Sequence, residues 1–322
     1  MGHRANYLLK RGGEYELFYS HWGANVIEND LFWGPELAEQ FVRSQKPVDE
    51  WLDEVWCEGG ACLDHDGQEL LFFGGEDVLY DPFLRQAYLA LMEAAWSPWK
   101  VSWAHRGILD LARAVGVSDQ VVLLNNQAER LKHVLARPEL VDPRRVWCRS
   151  VLQIDEQLFS LHTKIDGALL NGPRLLKLLP KTPGPPLLEN EPPSGGAVVH
   201  TTQERLSYWC MNSPPLLQEW LTEAWPGWLV ERNQRMSLDQ ASHFLTLAGH
   251  SPPVWEEIVK QIEQRVSQPV KSRALSMESV REVHGTDAPI VLNPLATEDV
   301  RPASKRSVEE FQRLASTVNP LF

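Results

Sequence analysis

The stretch from Gly59 to Gly116 has an echo between Gly195 and Gly249, and this echo limits the chain to folds in which one arrangement of elements occurs twice. In the first copy GGACLDHDGQELLFF reads as a β-hairpin, PFLRQAYLALMEAAW as a helix, WKVSW as a strand and GILDLARAVG as a closing helix. The second copy runs in step, with GGAVVHTTQERLSYW, PPLLQEWLTEAW, WLVER and SLDQASHFLTLAG in the same order. Trp96-Ser97-Pro98-Trp99 and Trp225-Pro226-Gly227-Trp228, each preceded by alanine, stand where a helix must stop and a strand begin. Upstream, ELFYSH and QLFSLH place Leu-Phe ahead of His21 and His162, and Gly34-Pro35-x-Leu37 parallels Gly172-Pro173-x-Leu175.

The expected fold is α+β: two related hairpin-helix-hairpin-helix-strand-helix units, their antiparallel sheets covered by helices, plus a C-terminal helical extension. Residues 1–118 form the first unit, 119–144 a helical connector with a helix near Gln127 to Ala136, and 145–250 the second unit. Within the second unit, residues 180–196 contain six prolines and predict an exposed, semi-rigid loop. Residues 251–322 form the extension. There Trp255, Ile258, Ile262 and Val266 share a helical stripe, and Ser307-x-x-Glu310 is a capping box before Phe311. Between them a short helix is expected over 276–283 and an extended strap over 289–305.

A chain of 322 residues with 43% apolar and 23% charged residues has material for two cores and is globular in composition rather than disordered. No run approaches the roughly 20 apolar residues that a bilayer requires, and MGHRANYLLKRGG lacks the apolar core of a signal peptide. Four cysteines are too few for a disulfide framework and suit buried thiols of a reducing compartment, so a cytoplasmic location is expected. Forty-three acidic against 31 basic residues give a net charge of -12, which disfavours nucleic acid and anionic membrane as partners. Thirteen tryptophans suit both core and interface.

The candidate site comes from the first hairpin, whose Gly12-Gly13 turn sets the register. Counting outward, Lys10 faces Tyr15, Leu8 faces Leu17, Asn6 faces Tyr19 and Arg4 faces His21, all on one face. Ala5, Tyr7, Leu9, Phe18 and Trp22 occupy the other, more apolar face, expected to be the core. Arg4, Asn6, Tyr19 and His21 are then left as a polar cluster at the open end of the hairpin. Arginine and asparagine can fix an anionic or amide group, and His21 and Tyr19 can exchange protons. His105 and Arg106, at a strand end, are further substrate-binding candidates.

Cys57, Cys62, Asp64, His65 and Asp66 are all metal-ligand types, but Cys62 and His65 lie an odd number of positions apart and point to opposite faces of a strand. Gly74-Gly75-Glu76-Asp77 lacks the lysine and spacing of a phosphate loop. No metal and no cofactor are expected. The chain shows no G-x-S-x-G elbow, Cys-His signature or HExxH motif. These features favour a non-catalytic intracellular protein that binds or regulates another protein, for example as an acidic antidote-like partner. The alternative is an enzyme or ligand-binding protein that takes a small anionic substrate, such as a nucleotide, through Arg4, Asn6, Tyr19 and His21.

Overall fold

The computed structural model describes residues 3–124, 150–161, 163–179, 192–267 and 307–322. The helix expected near Gln127 to Ala136, His162, most of the proline-rich loop, and the helix and strap expected over 276–305 lie outside the described residues. The chain divides into two compact units. The first comprises 1–76, 87–124 and 256–321, and the second comprises 77–86, 125–255 and 322.

In the first unit the hairpin β1 (Ala5–Arg11) and β2 (Glu14–Ser20) turns at Gly12 and Gly13, both in the left-handed conformation that the tight turn demands. Its register pairs Lys10 with Tyr15, Leu8 with Leu17 and Asn6 with Tyr19, as the turn predicts. A short edge strand β3 (Lys46–Pro47) follows the Pro35–Arg43 helix and pairs with β2. The second hairpin, β4 (Gly59–Asp64) and β5 (Glu69–Phe73), closes around Asp66-Gly67. Beyond the Pro82–Trp96 helix, β6 (Lys100–Trp103) completes a six-stranded sheet of order β3-β2-β1-β4-β5-β6. The Ile108–Ala114 helix follows and ends before Gly116 at positive φ.

The expectation of antiparallel sheets is corrected. Each hairpin is antiparallel, but β1 runs parallel to β4 and β5 parallel to β6, so the sheet is mixed. Residues 21–58 are long enough to bring the chain back to the starting end of β1. The Pro82–Trp96 helix does the same between β5 and β6, as a parallel crossover requires. β1 therefore lies between two strands, and its residues from Ala5 to Leu9, which alternate between the two faces, are all buried because both faces are covered.

The second unit contains β7 (Ser150–Ile154), β8 (Gln157–Leu161), β9 (Gly195–His200), β10 (Arg205–Cys210) and β11 (Leu229–Arg232) in the order β11-β10-β9-β7-β8. Two antiparallel hairpins again join through a parallel pair, β7 with β9, and β11 again adds in parallel, to β10. Thus β8-β7-β9-β10-β11 has the strand order and directions of β2-β1-β4-β5-β6.

One fastening also occurs in each unit. Gly34 has φ +94°, and a Cβ there would lie 3.0 Å from the Ala95 carbonyl oxygen. The next residue, Trp96, donates its indole N–H to the Leu31 carbonyl at 2.9 Å. In the second unit Gly172 takes φ +60° against the Ala224 carbonyl. Trp225 donates to the Leu169 carbonyl at 2.7 Å. Each tryptophan packs edge-on against the one three residues later, Trp99 or Trp228, at ring separations of 5.6 and 4.8 Å.

The C-terminal stripes dock on their own chain. Trp255, Ile258, Ile262 and Val266 are buried along the Trp255–Ser267 helix, and Trp33 donates its indole N–H to the Val266 carbonyl at 3.2 Å. The Val308–Ala315 helix opens on the expected Ser307/Glu310 capping box and buries Phe311 against Phe32 and Trp33.

Candidate functional site

On β1 and β2, Asn6, Leu8, Leu17 and Tyr19 share one face, and the sequence leaves that face polar and open at its far end. The structure closes it. The Ile108–Ala114 helix brings Leu111 onto Gly60, and the segment from Val48 to Cys57 is pinned beside it. Leu52 N–H donates to Asn6 Oδ1 at 2.8 Å, and Glu54 N–H donates to the Val122 carbonyl at 2.8 Å. Asn6 is 0% exposed, and its Nδ2 donates to the Phe18 carbonyl at 3.2 Å. Both ends of this amide bond to the fold, and Asn6 braces the segment over the sheet.

Arg4, Tyr19 and His21 do come together. The Tyr19 hydroxyl lies 3.0 Å from His21 Nδ1, and His21 packs edge-on against Trp22 at 4.9 Å. Burial pushes the Tyr19 phenol up from its ordinary value, and the neighbouring Arg4 guanidinium pulls it partly back. The guanidinium carbon of Arg4 lies 4.4 Å from the centre of the Trp56 ring, within cation–π range, and Trp56 is 54% exposed. Glu58 accepts from the Arg4 backbone N–H at 3.1 Å.

His105 and Arg106 lie elsewhere. They follow β6, at the same end of the sheet as Arg4 but three strand positions from β1, or about 14 Å at the usual strand spacing. There the Arg106 N–H donates to Asp110 at 2.8 Å and helps start the Ile108–Ala114 helix.

The site has members that the sequence does not single out. Lys46 pairs in register with Tyr19 across β2 and β3, so both side chains leave the same face. A groove of about 420 Å³ opens there, lined by Tyr19, Lys46, Asp49, Glu50 and Trp51 among others. It adjoins a second of about 550 Å³ that includes Tyr15 and Glu16, and both share Val48 and Asp49. Tyr15 and Trp51 meet edge-on at 5.9 Å. The available cue was the run Asp49-Glu50-Trp51-Leu52-Asp53-Glu54-Val55-Trp56, which couples tryptophans to carboxylates without a helical or strand period.

The metal-ligand types of the second hairpin have structural work. Asp64 pairs with Lys10 at 2.8 Å, Asp66 accepts from the Gly12 and Gly13 N–H groups at 2.8 and 3.0 Å, and His65 lies 3.2 Å from Glu39. Among the described residues no group of three or more histidine, cysteine, aspartate or glutamate side chains is arranged to hold a metal ion. Nor, among them, is any helix long and apolar enough to cross a membrane. The chain matches no protein-family model, no curated protein and no solved structure.

Proposed function

We propose that this protein is a non-catalytic binding protein that recognises a basic surface of another protein along the β2–β3 edge of its first sheet. The observation that carries the reading is the segment Asp49–Glu58, which holds five carboxylates and two tryptophans and no lysine or arginine. Backbone bonds to Asn6 and Val122 hold it in place, while Val55 and Trp56 stay exposed. Tyr15, 37% exposed, extends the same aromatic and acidic surface. Tryptophan and tyrosine supply area and a face for cations, the carboxylates supply charge-assisted partners, and the net charge of -12 steers a basic protein toward them. An acidic, antidote-like partner in the cytoplasm fits this reading, and so do the buried thiols of Cys57, Cys62 and Cys210.

The test is affinity capture from the native host, repeated with the triple variant Asp49→Lys/Glu50→Lys/Asp53→Lys and with Trp56→Ala. Loss of a stoichiometric basic partner in both variants, and weaker capture as salt rises through the screening range, is the expected result. Equal capture by wild type and both variants would remove this surface from consideration.

One observation favours the alternative, an enzyme or ligand-binding protein for a small anion: the contact of Tyr19 with His21 beside the Arg4 guanidinium. We also propose that the two units derive from one duplicated module. Support comes from their common strand order and from the Gly34–Trp96 and Gly172–Trp225 fastenings at matching places. Superposition of the five shared strands should bring Gly34 onto Gly172 and Trp96 onto Trp225 together; a fit that aligns one pair and separates the other counts against it.

A further inference from the structure

We infer that Arg4, Lys46 and Tyr19 form a phosphate-binding site at the mouth of the groove beside Trp51, suited to a phosphate monoester of the nucleoside monophosphate class. The inference deepens the small-anion alternative and rests on it, is separate from the protein-partner reading, and is argued from where the cations stand. On the same sheet Lys10, Arg11 and Lys100 each meet a carboxylate, at 2.8, 3.3 and 2.9 Å. Arg4 and Lys46 differ: among the described residues neither has a carboxylate within the 4.0 Å of an ion pair, although acidic residues outnumber basic ones by 12. Nearby Glu58 is engaged with the Arg4 backbone rather than with its guanidinium.

The Arg4 guanidinium stands beside the Tyr19 phenol, and Lys46 lines the same groove as Tyr19. Arg4 comes from the start of β1, braced on the Trp56 ring, and Lys46 comes from β3 in register with Tyr19. His21 positions the phenol through the 3.0 Å contact. A carboxylate is satisfied by the flat guanidinium fork alone. A point-charge ammonium and a hydroxyl from other directions add what a tetrahedral dianion with three equivalent oxygens can use. The organic part would lie in the groove of about 420 Å³, where Trp51 offers an aromatic wall. Asp49 and Glu50 on the groove lining repel a second phosphate but accept N–H or O–H donors from a base or sugar, which favours a monophosphate over longer chains.

The test is isothermal titration of the full chain, at low ionic strength, with AMP, inorganic phosphate and adenosine. AMP should bind saturably, with inorganic phosphate weaker. Adenosine should be weaker than AMP by about tenfold or more, the scale of one charge-assisted hydrogen bond. Lys46→Gln, at an exposed edge position, should weaken AMP by several-fold with no change in melting temperature. Arg4→Gln should abolish AMP binding, and Arg4→Lys should restore part of it. Absence of saturable heat with both AMP and phosphate overturns the inference. So does AMP affinity unchanged in Lys46→Gln, or adenosine binding as well as AMP. The charge-reversal variants of the acidic segment address the protein partner separately, so either reading can fail alone.

Discussion

Replacing Asn6 by leucine separates what its amide does from what its volume does. The site is fully buried, and the change leaves the Leu52 N–H and the Phe18 carbonyl without their side-chain partner. Stranding the Leu52 N–H while the Phe18 carbonyl loses one of its two donors costs about 1–3 kcal/mol, so urea denaturation should show a stability loss of that size. A loss well under 1 kcal/mol would mean that water reaches the site. Asn6 also shows where sequence reasoning stops. The Gly12-Gly13 turn makes the register legible, and with it the meeting of Tyr19, Arg4 and His21. What covers that face is set by Leu52, Leu111 and Trp56, which are distant in sequence from the hairpin and carry no local signal of where they dock. Lys46 was invisible for the same reason, because its place opposite Tyr19 depends on a two-residue strand that no periodicity announces.

At the scale of elements, the hairpins, the two helix-to-strand junctions and the capping box could be read from glycine, proline and serine positions, because turn and cap chemistry is local. The parallel joining of hairpins could not, since alternation within a strand says nothing about the direction of the next neighbour. The glycine–tryptophan fastening gives these junctions a measurable energy. At Gly34 the positive φ and the Ala95 oxygen both oppose a side chain, and at Gly172 the Ala224 oxygen does the same. Gly34→Ala and Gly172→Ala should each destabilise by about 1–3 kcal/mol, the range for a non-glycine residue held in a disfavoured backbone region. Thermal melts would check this, and either substitution proving neutral would show that its junction relaxes freely.

At the scale of the whole molecule, buried thiols tie stability to alkaline pH. Burial pushes Cys57, Cys62 and Cys210 from 9.0 up to about 12. A folded value above the unfolded one means that the stabilising contribution is complete below pH 9 and is lost as pH climbs toward 12, because the unfolded chain releases protons that the folded chain retains. Stability measured between pH 9 and pH 11 should therefore fall. Cys62→Ala, weaker at neutral pH through its cavity, should show a shallower alkaline decline. A parallel slope in that variant would assign the decline to other groups. A thiol reagent should leave these three cysteines unmodified in the native protein and label them as denaturant opens it.

The seating of Phe311 against Phe32 and Trp33, with the Trp33 indole on the Val266 carbonyl, bears on how the chain is made. A ribosome delivers the aromatic pair more than two hundred residues before the groups that shelter it, as their positions 33, 266 and 311 show. During that interval the sides of Phe32 and Trp33 that Phe311 will cover lack that cover, although Tyr88 can already pack on Phe32. The last cover of this aromatic pair therefore depends on residues that lie after the second unit in the chain.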